Sequence, residues 1–170
     1  WPLPKIFRLT AGGKLIEGIF KGETINTPSM LCVEDYIDAL LWAKSVGGLD
    51  GLVARADANA RVLADWVAAN PAVAFLAKDE ASRSNTSVCL SFADPAVANL
   101  DDAGQQAFVK SFTGLLEAEK VAYDIAGYRD APPGLRIWCG ATVETSDLEA
   151  LTPWLDWAFA TAKASLKAAA

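Results

Sequence analysis

The chain has 170 residues, 52% of them hydrophobic, which suits one domain, or a small domain with an appendage, that buries roughly 70% of its unfolded surface. A net charge of −6 with no basic run argues against nucleic acid and anionic membrane as partners, and no apolar segment approaches the roughly 20 residues of a membrane span. The chain has no histidine, which excludes a Ser-His-Asp site, a Cys-His site and a His-bearing zinc centre within it, so no metal is expected.

Residues 1–27 scatter Pro2, Pro4, Gly12, Gly13, Gly18 and Gly22 among short apolar runs, and read as extended segments and turns without a core of their own. Such a stretch is expected to lie on another domain. Gly12-Gly13-Lys14 lacks phosphate-loop spacing and reads as a plain turn. At Asn26-Thr27-Pro28 the pattern changes: Thr27 can cap a helix with Pro28 at its first position, where a missing amide costs nothing. Leu31, Val33, Ile37, Leu40 and Leu41 give that helix an apolar face, and Gly47-Gly48 ends it. A second helix is expected from about Leu49 to Ala69, with Leu52, Ala56, Leu63, Trp66 and Val67 inward and Asn70-Pro71 as its stop.

Strands follow at Val73–Ala77 and Thr86–Phe92, joined by a polar turn through Ser82-Arg83-Ser84-Asn85. Asp94-Pro95 breaks the second strand, and Asp101 or Asp102 caps a helix carrying Phe108, Phe112, Leu115 and Leu116. A strand over Val121–Ala126, a turn to Gly134 and a strand from Leu135 come next. Ser146 and Glu149 have capping-box spacing for a last helix, in which Pro153 should produce a kink or mark a later start after Thr152. The order predicts an α/β chain whose main body is an α+β domain: a small, mainly antiparallel sheet with helices on one face. Cys32, Cys89 and Cys139 lie in apolar contexts with no short-spaced pair, which fits buried reduced thiols and a cytoplasmic protein. The chain starts at Trp1 and its only methionine is Met30, so a piece of a longer protein is expected.

The stretch Asp130–Glu144 holds the leading candidate. Alternation puts Leu135, Ile137 and Cys139 on one face of its strand and Arg136 with Trp138 on the other. A guanidinium there cannot lose its proton and needs an anion. Asp124, Asp130 or Glu144 could supply it as an ordinary ion pair; alternatively a ligand carboxylate fills the fork, which a lysine could not hold bidentately. Arg129 is a second anion ligand or a solvated turn residue. Asn26 and Thr27 either cap a helix or bring an amide and a hydroxyl to a phosphate group. Lys5 and Lys14 sit where nothing would depress an amine pKa, and read as surface residues.

Asn26-Thr27-Pro28, together with Gly127-Tyr128-Arg129-Asp130-Ala131-Pro132-Pro133-Gly134-Leu135-Arg136-Ile137-Trp138-Cys139-Gly140, resembles the phosphoserine aminotransferases in the form found in some bacteria. The resemblance covers nearly the whole chain but only the C-terminal half of the family's length. It implies a class V aminotransferase of the aspartate-aminotransferase fold type that carries pyridoxal 5'-phosphate and acts as a homodimer. The family exchanges an amino group between glutamate and 3-phosphohydroxypyruvate, giving phosphoserine and 2-oxoglutarate for serine synthesis; some members also serve pyridoxine synthesis.

By position, Asn26 and Thr27 resemble the pair that reaches the cofactor phosphate across the dimer interface. Arg136 resembles the arginine that grips the substrate α-carboxylate, and Arg129 a residue near the substrate phosphate. Tyr128 stands where many relatives have a histidine. The Schiff-base lysine, the ring-stacking aromatic and the aspartate at the ring nitrogen are expected upstream of Trp1, so this chain carries no catalytic residue of its own. The resemblance further implies that residues 1–27 are the tail of the large cofactor domain, 28–46 a linking helix and 47–170 the small domain. A non-catalytic module that binds a small amino or keto acid, or a related class V aminotransferase such as one using glyoxylate, are the alternatives.

Overall fold

The computed structural model describes residues 3–169. The chain divides into two compact units, Trp1–Val46 and Gly47–Ala170.

In the first unit a hairpin pairs β1 (Thr10–Ala11) with β2 (Lys14–Leu15), and short 3-10 turns lie on either side. Gly12 and Gly13 join the strands at φ 56° and 75°, the left-handed pair that a tight hairpin turn demands. Helix α1 (Met30–Ser45) follows. Its cap is Ser29, whose hydroxyl accepts from the Cys32 amide, rather than the expected Thr27. Pro28 thus precedes the cap instead of opening the helix, and serine is the better cap residue of the two. Among the described residues these elements bury no side chain: Phe20, Ile25, Leu31, Leu40 and Leu41 are all exposed. Cys32 is exposed as well, so only two of the thiols are shielded, Cys139 fully and Cys89 in part.

The second unit is a three-stranded antiparallel sheet in the order β3 (Val73–Phe75), β4 (Ser87–Phe92), β5 (Leu135–Trp138). Alternation sends Val88, Leu90, Phe92, Leu135 and Ile137 inward. Helices α2 (Gly48–Ala69), α4 (Asp102–Ala118) and α5 (Thr145–Ala169) cover that face, with α5 packed on both others. Phe92 sits among Phe108, Phe112 and Phe159, with ring centroids 5.0, 5.2 and 5.8 Å away. Asp101 caps α4 by accepting from the Gly104 amide at 2.8 Å.

One local expectation is corrected and two are refined. Val121–Ala126 is not a strand, because Lys120 and Asp124 take left-handed backbones at φ 60° and 53° that no strand accommodates. The segment still borders β5 through the Ala126–Leu135 bridge. Asp94-Pro95 does not only end β4; Asp94 caps and Pro95 opens a short helix, α3 (Pro95–Ala98). Helix α5 starts at Thr145 and runs through Pro153. The Glu149 carbonyl that a residue-153 amide would have bonded instead accepts from the Thr152 hydroxyl at 3.2 Å, which removes one penalty of the proline. Among the described residues no helix is long and apolar enough to cross a membrane, and no cluster of side chains could hold a metal ion.

Candidate anion site on strand β5

Strand β5 is held from both sides. Its register with β4 sets Leu90 opposite Leu135 and Cys89 opposite Arg136. On the other side the Arg136 amide donates to Ile125 O at 2.8 Å and the Gly127 amide to Gly134 O at 2.8 Å. Gly134 has to be glycine for steric reasons, since a Cβ there would collide with the Leu90 carbonyl oxygen. The Pro132-Pro133-Gly134 turn therefore delivers the strand at a depth that only a bare backbone permits.

With β5 so fixed, Leu135 and Ile137 fall into the core, each 2% exposed, and Arg136 and Trp138 stand on the opposite face as expected. Of the three carboxylates within sequence reach of Arg136, Glu144 is engaged with Arg55 and Asp130 lies beside Arg129. Asp124 remains, and Arg136 Nη2 donates to its Oδ2 at 3.3 Å. That contact is single-pronged and the Asp124 side chain is 88% exposed, so the pair contributes about 0–1 kcal/mol. Arg136 Nε is buried and has no hydrogen-bond partner. An unmet buried donor of this kind costs about 1–3 kcal/mol. The guanidinium carbon lies 5.7 Å from the Trp138 ring centroid, within cation–π range. Arg136, Trp138, Asp124, Val121, Ile125 and Leu148 line a cavity of ≈ 370 Å³. The cavity thus holds one cation with an unmet donor among apolar side chains and the carboxylates of Asp124 and Asp147, and a small organic anion would meet the free donor.

A supporting feature not foreseen in the sequence is Asn59 on α2, fully buried. Its Nδ2 donates to Gly140 O at 3.1 Å and Val143 O at 2.8 Å, and its Oδ1 accepts from the Thr145 hydroxyl at 2.7 Å. Arg55, one turn earlier, donates from Nε to Ala141 O at 2.7 Å and pairs with Glu144 at 2.6 Å. Together they secure the loop that leads from β5 into α5, whose Val143 and Leu148 face the cavity. The available signal was a lone amide between Ala56 and Leu63 on the apolar stripe of α2.

Arg129 is 82% exposed, 3.6 Å from Asp130, and lines a separate cavity of ≈ 210 Å³ with Tyr128, Gln106 and Lys110. Asn26 and Thr27 belong to the first unit, with both side chains exposed and both upstream of the actual helix cap. Lys5 and Lys14 are exposed as expected. Arg83 stacks over the Phe75 ring at 4.1 Å and donates to Ala77 O at 3.1 Å, within the connection between β3 and β4. The Cys139 thiol, bonded to Asn85 O, is pushed above its ordinary pKa by burial.

No family model matches the chain. It is 54% identical over 159 residues to a phosphoserine aminotransferase of Methanosarcina barkeri, a match spanning 94% of this chain and 40% of the relative. The corresponding enzyme of Methanosarcina mazei gives 53% over the same spans, and that of a Nocardioides species 30% over 155 residues, 91% of this chain and 38% of the relative. Among solved structures, the fold is similar to phosphoserine aminotransferase from Bacillus circulans subsp. alkalophilus, with a TM-score of 0.66 at 21% identity over 80% of this chain and 34% of that one. A structure recording radiation damage of the Schiff base in phosphoserine aminotransferase gives 0.69 at 17% identity, over 86% and 38%. The chain thus spans about two-fifths of the length of the curated relatives it matches.

Proposed function

Because the chain belongs to the phosphoserine aminotransferase family, as a C-terminal part of its sequence, we propose that it supplies the substrate-carboxylate clamp of an enzyme that moves an amino group between glutamate and 3-phosphohydroxypyruvate. The observation that carries this reading is the guanidinium of Arg136, with Nη2 in a single weak contact and Nε unmet beside it. Both substrates present an α-carboxylate, which meets Nη2 directly and, once the groups covering the buried Nε give way, bonds Nε along the same edge. Trp138 walls the cation and limits its hydration. Arg129, at the rim of its own cavity, takes the substrate phosphate, with Tyr128 beside it.

Pyridoxal 5'-phosphate fits the donor set at Asn26 and Thr27, an exposed amide and an exposed hydroxyl of the kind a phosphate accepts from. When bound, the cofactor supplies the electron sink for amino-group exchange. In this reading residues 1–27 are the tail of the cofactor domain, 28–46 the linking helix and 47–170 the small domain. Asn26 and Thr27 serve the partner's cofactor in a cytoplasmic homodimer that feeds serine synthesis and, in addition, pyridoxine synthesis. The reactive lysine lies outside these residues, so the chain alone is inactive.

The test is amino transfer from glutamate by the complete enzyme, comparing 3-phosphohydroxypyruvate with its unphosphorylated counterpart and with glyoxylate. A strong preference for the phosphorylated acceptor is expected. Equal use of glyoxylate would assign the chain to another branch of the class. Tight binding of glutamate by the isolated chain, without transfer, would make it a binding module instead.

A further inference from the structure

We propose that Asp124 is the site's own stand-in carboxylate: it occupies Arg136 when the site is empty and must be displaced by an incoming substrate carboxylate. This rests on the reading of Arg136 as the clamp.

The geometry is specific. Nε and Nη2 lie on one edge of the planar guanidinium, the edge that receives a carboxylate side-on. Asp124 bonds only Nη2, at 3.3 Å, and leaves its edge neighbour Nε buried without a partner. A residue placed to orient the arginine would be expected to satisfy both donors and to be shielded itself. Asp124 does neither, since its side chain is 88% exposed. Its backbone takes the left-handed conformation at φ 53°, which places it in the turn between Lys120 and the Ile125 carbonyl that holds β5. The carboxylate is therefore presented from a fixed turn but held by one weak bond. A two-pronged ligand outcompetes it, whereas an anion offering one bond gains little over it. Asp124 thus acts as a specificity determinant that favours carboxylates able to span the whole edge.

The consequence has a definite sign. Asparagine and glycine both tolerate the left-handed backbone, so Asp124→Asn and Asp124→Gly keep the turn while removing the competing charge. In the complete enzyme each should lower KM for glutamate and for 3-phosphohydroxypyruvate about two- to fivefold, the range an exposed ion pair contributes, with kcat unchanged. A residue that merely positions Arg136 would give the opposite, a raised KM. An unchanged or raised KM in both variants therefore overturns the proposal. Arg136→Lys is measured alongside: if it leaves both KM values intact, the clamp reading itself has failed. If it raises them while the Asp124 variants lower nothing, the stand-in alone has failed.

Discussion

Asn59, in the middle of α2, and Thr145, at the first position of α5, are joined by a 2.7 Å hydrogen bond from the threonine hydroxyl to the amide oxygen. The same amide donates to Gly140 and Val143, so one buried side chain ties the exit of β5 to two helices. Replacing it with leucine keeps the branching and the heavy-atom count, adds some bulk and deletes all three bonds. Asn59→Leu should lower the unfolding free energy by about 2–4 kcal/mol, because the partners it leaves behind are shielded from water. Urea unfolding of the purified protein measures this. A loss under about 0.5 kcal/mol, the level of an ordinary surface change, would mean the loop is held by Arg55 alone.

Arg136→Ala in the complete enzyme should raise KM for both substrates, about 10- to 100-fold each, as one lost charge-assisted hydrogen-bond pair implies. Steady-state kinetics with each substrate varied in turn would reveal it. An effect confined to one substrate would contradict a shared clamp.

Gly134→Ala tests the depth at which β5 enters the sheet. The added methyl meets the Leu90 carbonyl oxygen, a backbone atom that cannot move aside without shifting β4. A loss of about 1–3 kcal/mol is expected, as for other overpacked sites, and KM should rise with it because Arg136 is only two residues on. Thermal unfolding and kinetics on the same preparation would separate this from a local change, which would leave both untouched.

Cys139 predicts a pH dependence. Burial raises the pKa of its thiol in the folded protein, so between the unfolded and folded values the native state holds the extra proton. The contribution is fully present below the unfolded thiol value, about 8.5, and is lost as pH rises through the higher folded value, by at most about 1.4 kcal/mol per pH unit. Cys139→Ala should flatten that alkaline decline while leaving the slope between pH 6 and 8 unchanged. Denaturant titrations at stepped pH provide the measurement, and parallel alkaline slopes in the two proteins would refute it.

Much of the architecture is legible in local patterns. Alternation in Ser87–Phe92 and Leu135–Trp138 assigns the inner faces of both strands, and the Phe108, Phe112, Leu116 spacing assigns the buried side of α4. Local misreadings occurred where neighbouring signals compete. Ser29 outcompeted Thr27 as a cap, and two left-handed residues stopped the apolar run at Val121 from becoming a strand. Thr152 let α5 pass through a proline that ordinarily ends a helix.

For the candidate site, sequence alone determined that Arg136 and Trp138 share a face away from the core and that a nearby anion is required, because strand periodicity and a permanent charge are local properties. Which carboxylate answers, and how incompletely, was decided by tertiary structure. Glu144 was taken by Arg55 from a helix more than eighty positions away, Asp130 lay beside Arg129, and Asp124 was left to offer one weak bond. The unmet Nε follows from that allocation. Ion pairing in a folded chain depends on through-space distance and burial, and neither can be read from residue order.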